Sequence, residues 1–312
     1  MPVWNPSAKE KDYVHRHSEK IMGYIYISLS YLLWGFLALY WNALDTVSSM
    51  EILAHRILWG FIFVVIIMAC QTKKRRAFFK LFKEFKVNFK QFSYIFVASL
   101  AISANWLIFI WAVNFGYIME ASLGLYITPI VSMVLGVLIV KDNIRTGTLI
   151  SMIMAFLGVL VITYEYGKIP WVAISLAMTS GIYGLTKKYI KTDTLVGMCI
   201  ETIMVIPFAL LFLVFIQRNN KMYFGSDIHL SLLLISAGIL TVLPLLWFTE
   251  GSKRMSLTTI GFFQYITPTI TFLLGVFIFE NTITLIQWIS FSFIWLSLAV
   301  FSFSSCKGIT KK

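Results

Sequence analysis

Ten stretches of roughly twenty apolar residues, joined by short polar connections, constrain this chain more than any other feature. They cover residues 21–41, 52–70, 93–113, 119–140, 147–164, 170–186, 195–216, 230–249, 257–279 and 284–303. An α-helix rises about 1.5 Å per residue, so about 20 residues cross a hydrocarbon core of roughly 30 Å. Lipid cannot satisfy exposed backbone groups, and the runs are too long and too evenly apolar for barrel strands, which leaves helices. The segments 147–164 and 170–186 are short, and the connection between them is tight. Composition agrees with a membrane chain: 59% of residues are apolar and 13% charged, against roughly 45–50% and about 25% in an ordinary globular protein. A cytoplasmic enzyme, a secreted disulfide scaffold and a disordered tail are thereby excluded. Cys70, Cys199 and Cys306 are too few and too scattered for a disulfide framework or a cysteine metal cluster.

The formal charge of +12 raises nucleic acid as a partner, but its distribution points elsewhere. With a cytoplasmic N-terminus, 22 of the 26 Lys and Arg residues fall in inner segments, Lys168, Arg218 and Lys221 fall in outer loops, and Arg56 lies within the second span. That bias predicts both termini inside. No nucleic-acid role is expected. The run 73–90 interleaves Phe78, Phe79, Phe82, Phe85 and Phe89 with lysines and suits a helix lying on anionic lipid of the cytoplasmic leaflet. The apolar stretch after the first 20 residues exceeds a signal-peptide core, so the first span is expected to be retained.

An internal repeat sets the architecture. Tyr126-Ile127-Thr128-Pro129 recurs as Tyr265-Ile266-Thr267-Pro268, and at the same offset of 139 there are nine identities over positions 126–144, out to Ile144 and Ile283. A weaker echo relates Ile27-Ser28-Leu29 to Ile174-Ser175-Leu176, and Trp34-Gly35 to Tyr183-Gly184. The chain therefore divides into a cytoplasmic segment 1–20, a first five-helix repeat 21–166, a second 167–303 and a cytoplasmic tail 304–312. Five crossings is an odd number, so the second copy must insert upside down relative to the first. The expected fold is an all-α membrane protein of ten transmembrane helices built from two inverted five-helix repeats. Such halves can rock around a shared midplane site, the framework of many secondary transporters. Glu120, Gly124, Thr128, Ser132 and Gly136 share one helical face, and this stripe is either a close helix seam or a cavity lining. Pro129, Pro207, Pro244 and Pro268 each remove a backbone donor inside a span.

Charges inside a span cost about 2.5–3.5 kcal/mol on insertion scales, so each requires a partner or a task. Arg56 and Glu201 are the most deeply placed cation and anion. Arg56 either snorkels to the outer surface or faces a cavity, and Glu201 either makes a structural pair or meets substrate or a proton. Glu51, Glu250 and Glu280 are expected at the interfaces, and His55 is expected packed or facing water. Trp34, Trp106 and Tyr265 lie deeper than the aromatic residues at span ends and suit an aromatic pocket or plain core packing. There is no Walker loop, no zinc helix of the His-Glu-x-x-His type and no Gly-x-Ser-x-Gly elbow. Neither a cofactor nor a metal site is expected, nor catalysis.

Several motifs resemble the EamA drug/metabolite transporter superfamily, and within it the RarD branch of bacterial permeases. They are Tyr31-Leu32-Leu33-Trp34-Gly35, Glu51-Ile52-Leu53-Ala54-His55-Arg56-Ile57-Leu58-Trp59, Asn105-Trp106, Trp111-Ala112-Val113-Asn114, Glu120-Ala121-Ser122-Leu123-Gly124, Glu201-Thr202, Pro244-Leu245 and Gln264-Tyr265-Ile266-Thr267-Pro268. The resemblance implies ten spans, two EamA repeats, residence in the inner membrane and secondary transport of small metabolites or drugs. Lys141-Asp142-Asn143 departs from a Lys-Glu pair that many relatives carry after the fourth span. The resulting expectation is a permease working by alternating access on a small-molecule substrate among membrane lipid, with a coupling ion as a further candidate partner. Arg56 would hold an anionic group, with Glu201, Asn105, Trp106, Gln264 and Tyr265 completing the site. Glu120, Glu201 and His55 are the candidates for proton coupling. The alternative is a membrane-embedded lipid-handling or lipid-modifying protein.

Overall fold

A computed structural model describes residues 8–83, 89–278, 280 and 284–306. Phe85, Lys86, Phe279, Ile283 and the tail beyond Cys306 lie outside the described residues. Among the described residues the chain is helical throughout, with no β-strand. In order the helices are α1 (Ala8–Asn42), α2 (Ser49–Ala69), α3 (Thr72–Lys83), α4 (Phe89–Asn114), α5 (Ile118–Leu138) and α6 (Thr146–Tyr166). They continue with α7 (Trp171–Tyr189), α8 (Thr194–Arg218), α9 (Ile228–Arg254), α10 (Leu257–Gln264), α11 (Ile266–Phe277) and α12 (Leu285–Cys306).

Local chemistry sets the starts and stops. The Ser48 hydroxyl accepts from the Glu51 amide at 3.2 Å to begin α2, Asp193 accepts from Leu195 and Val196 to begin α8, and Asp227 accepts from Leu230 at 2.9 Å to begin α9. Gly167, at φ 75°, ends α6 in the left-handed conformation that glycine adopts without steric cost.

Nine helices, counting the pair α10 and α11 as one, are long and apolar enough among the described residues to cross a bilayer. The exception to the expected ten is α7. It is 19 residues long, and it spends Thr179 and Ser180 on bonds to α4 and ends in Lys187 and Lys188, which lowers its mean hydropathy. The bundle exposes large side chains such as Leu138, Phe208, Leu211 and Phe215. An apolar surface of that extent is stable against lipid and not against water, so the chain is a multi-pass membrane protein. Helix α3 presents Lys73, Lys80 and Lys83, with Leu81 buried and Phe78 packed on the core, as an amphipathic segment should.

Helix α1 packs on α9 and α11, α7 on α4 and α5, and α2 on α8 and α9; α5 also packs along α10, and α6 along α12. Dispersion and small residues must hold such contacts, since lipid is as apolar as the helices. At the α2–α9 crossing a Cβ on Gly238 would collide with the Gly60 amide. The stripe on α5 is a seam: Gly124 meets Leu176 of α7, and Gly136 meets Thr258 at the start of α10.

Tyr126–Pro129 lies inside an unbroken α5, whereas the helical ladder is interrupted at Tyr265, between α10 and α11. Helix α5 touches α11 only sparsely. A crevice of about 1,820 Å³, including space open to the outside, separates them there, bordered by Met119, Ser122, Tyr126, Thr271, Phe272 and Gly275.

Candidate functional site

A narrow second cavity, with free space for little more than a water molecule, lies amid α2, α4, α7, α8 and α9. Arg56, Trp106, Glu201 and Tyr183 line it, and Ile57, Ile102, Val205, Val242 and Leu245 supply an apolar wall. Arg56 projects from the second turn of α2. Its Nε donates to the Thr241 hydroxyl of α9 at 2.9 Å. The guanidinium lies over Trp41 at 4.7 Å and over Trp106 at 5.8 Å from the ring centroids, so its flat face is covered by aromatic rings. Thr241 in turn donates to the Ala237 carbonyl, which fixes the orientation of the hydroxyl that Arg56 meets.

Glu201 sits in the second turn of α8, but its partner is not Arg56. Lys187 Nζ donates to Glu201 Oε1 at 2.6 Å, and the two side chains are 1% and 7% exposed. The ammonium also lies 5.0 Å from the Tyr183 ring centroid, one helical turn back along α7. A tally of basic residues by loop assigns Lys187 to the cytoplasmic surface. Helix α7 runs on to Tyr189, however, and Lys187 points into the bundle on the same face as the buried Tyr183 and Gly184. That i, i+4 relation to an inward tyrosine is the signal in the sequence that could have found it.

The other expected site residues are distributed differently. Asn105 Nδ2 donates at 2.9 Å to the Leu176 carbonyl and to the hydroxyls of Thr179 and Ser180, tying α4 to α7 beside the cavity, which it does not line. Glu120 is buried with both oxygens engaged: Tyr166 donates its hydroxyl at 2.6 Å and the Val172 amide donates at 2.9 Å. Glu120 therefore caps the start of α7, where the helix dipole favours its charge. Tyr265 is 0% exposed and packs with Met133, Ala155 and Ile294, and neither it nor Gln264 borders the cavity.

Glu51, expected at an interface, stands in the first turn of α2 at one end of the bundle and is 0% exposed. The segment between α8 and α9 folds over it, and the amides of Tyr223 and Phe224 donate to its Oε1 at 2.8 and 3.0 Å. His55 stacks on Phe224 with ring centroids 4.7 Å apart, accepts from Trp59 Nε1 at 3.2 Å, and holds its Nε2 3.9 Å from Glu51.

Polar ties join the bundle at both ends. At the end carrying α3, Arg254 donates to Glu19 at 2.8 Å and pairs with Glu250, which accepts from Thr194; Lys253 donates to the Thr192 carbonyl at 2.8 Å. There too, Asp142 accepts from the amide and hydroxyl of Thr258 at 2.8 and 2.9 Å. At the opposite end are the Glu51 and Glu120 contacts and a Tyr40 hydroxyl 2.8 Å from Ser236.

The sequence profile of the EamA-like transporter family matches residues 21–164 and again 168–303. The chain is 40% identical over 295 residues to the uncharacterized transporter YojE of Bacillus subtilis (strain 168), covering 94% of this chain and 97% of that one. It is 37% identical over 273 residues to protein RarD of Escherichia coli (strain K12), with 87% and 90% covered. A solved structure described as "Crystal structure of protein" superposes with a TM-score of 0.66 at 17% identity, covering 91% of this chain and 97% of the other, and shares its fold.

Proposed function

Because the chain belongs to the EamA-like transporter family, we propose that this membrane transporter is a secondary carrier working by alternating access between two inverted five-helix units, 21–166 and 167–303. In this reading α7 is the tenth crossing, both termini are cytoplasmic and the membrane is the bacterial inner membrane. At 19 residues α7 spans about 28 Å, and its polar side chains are turned to partner helices. The 22 basic residues on one side support the orientation.

The contacts support the inverted pair. Exchanging the halves turns the α1–α9 contact into α7–α4 and the α1–α11 contact into α7–α5, while α2–α8, α5–α10 and α6–α12 map onto themselves. Lys141 and Glu280, 139 residues apart, both adopt the left-handed conformation, at φ 58° and 51°.

Alternating access rests on one asymmetry. Gly261 of α10 packs so tightly on Met133 and Pro129 of α5 that a Cβ would clash. The positions matched by the repeat are Ser122, Phe272 and Pro268, and of these Ser122 and Phe272 border the open crevice. The same contact is thus closed at one end and open at the other, as a carrier facing one side requires. Exchange of the two arrangements would close the crevice and part α5 from α10, presenting the cavity at Arg56 to the opposite compartment. Arg56 then holds an acidic group of the cargo. Glu201 is the residue for proton exchange, since it meets the cavity whereas Glu120 has both oxygens engaged.

The test is a double substitution, Ser122→Cys with Thr271→Cys, in a chain whose Cys70, Cys199 and Cys306 are replaced. Oxidative bridging should stop flux in proteoliposomes, and reduction should restore it. Undiminished flux through a fully bridged protein would exclude the rocking mechanism.

A further inference from the structure

The cavity contains a cation whose hydrogen-bonding fork is incomplete. Thr241 takes Nε of Arg56, and Trp41 and Trp106 cover the flat face. Among the described residues neither Nη bonds to the protein, and no carboxylate lies within 4.0 Å of the guanidinium. The surrounding charges have other partners. Glu201 is paired with Lys187. Glu51, five residues before Arg56, is engaged by the Tyr223 and Phe224 amides and faces His55. An arginine within a bilayer span ordinarily acquires a counter-charge or an acceptor for each donor edge. Here the edge with two parallel N–H groups, which matches a carboxylate, is left to an occupant.

We infer that the cavity takes a small organic monoanion, a carboxylate carried on an apolar body, with its two oxygens on the Nη atoms of Arg56. The body packs against Trp106, Ile102, Val205 and Leu245, the apolar wall beside Arg56; the cavity is narrow in this conformation, so the body must part these side chains as it enters. An added ammonium finds no unpaired carboxylate in the cavity, so a zwitterion binds more weakly than the same molecule without its amine. This inference rests on the cavity being the transport site and adds the charge class of what is carried.

A matched set of probes tests it on the purified full-length protein: 3-phenylpropionate, its neutral amide, phenethylammonium and phenylalanine, each read by ligand-induced thermal stabilisation. The carboxylate should stabilise the native protein, the amide and the amine should not, and phenylalanine should lie between. Arg56→Gln should weaken carboxylate binding by about tenfold or more, the loss expected for hydrogen bonds to a charged group, with Arg56→Lys in between. Should Arg56→Gln fail to fold, the acid-against-amide comparison on the unaltered chain still decides. Equal stabilisation by acid and amide, preference for the amine, or no binding by any of the four overturns the inference. Flux of the same probes separates the two readings: anion-selective binding without flux keeps the site and removes the carrier role, and flux without anion preference does the reverse.

Discussion

Lys187 and Glu201 form an ion pair of 2.6 Å in which neither side chain meets solvent appreciably, although one ends a helix and the other lies two turns into the next. Taking both charges out of water is costly, and their attraction offsets that cost only while both are present. Lys187→Met should destabilise the protein by about 3–5 kcal/mol, because it strands a buried carboxylate. Lys187→Met with Glu201→Gln should recover most of the loss. Thermal unfolding in detergent measures both, and a double variant no better than the single one would contradict the pairing.

Glu120 and Glu201 should separate by readout. Glu120 only anchors Tyr166 and the Val172 amide, so Glu120→Gln should cost about 1–3 kcal/mol of stability by setting an amide donor against a donor. The pH profile of transport should stay where it is. Glu201→Gln should move that profile. A shifted profile for the Glu120 variant would reassign the proton-linked group.

At the α2–α9 crossing the backbones of Gly60 and Gly238 approach without room for a methyl group. Gly238→Ala should therefore cost about 1–3 kcal/mol through forced separation. Gly225→Ala, where no atom stands within 4 Å but φ is 89°, should be destabilising through backbone strain instead. Melting temperatures of the two variants compare these causes, and an unshifted Gly238→Ala would mean that the crossing is looser.

Asp142 joins the first half to the start of α10 through the Thr258 amide and hydroxyl. Asp142→Ala should remove about 1–2 kcal/mol from the state closed at the α3 end, a five- to thirtyfold change in population. Labelling of a cysteine at Ser256 by a membrane-impermeant thiol reagent in inside-out vesicles should rise accordingly. Unchanged labelling would show that this contact does not hold that end shut.

Nine of the ten expected spans were legible among the described residues because lipid demands long apolar runs, and the recurrence of Tyr-Ile-Thr-Pro pointed to α5 and α10–α11. What the sequence hid was set by tertiary approach. Lys187 counts as a loop charge until α8 brings Glu201 to it. The burial of Glu51 appears only once residues 223 and 224 fold over it. Tyr265 shares its motif with Tyr126, yet it packs towards Met133 and Ile294 and away from the cavity. Asp142 lies in the loop after α5, and its carboxylate does a capping task at α10 that no local pattern announces.

One tetrapeptide exists in this chain in two shapes, within a continuous helix at 126–129 and across a break in the ladder at 265–268. Neighbours, not the four residues themselves, select between those shapes. If the two halves exchange arrangements as proposed above, a spectroscopic label beside Pro129 or Pro268 should give two signals whose ratio responds to cargo.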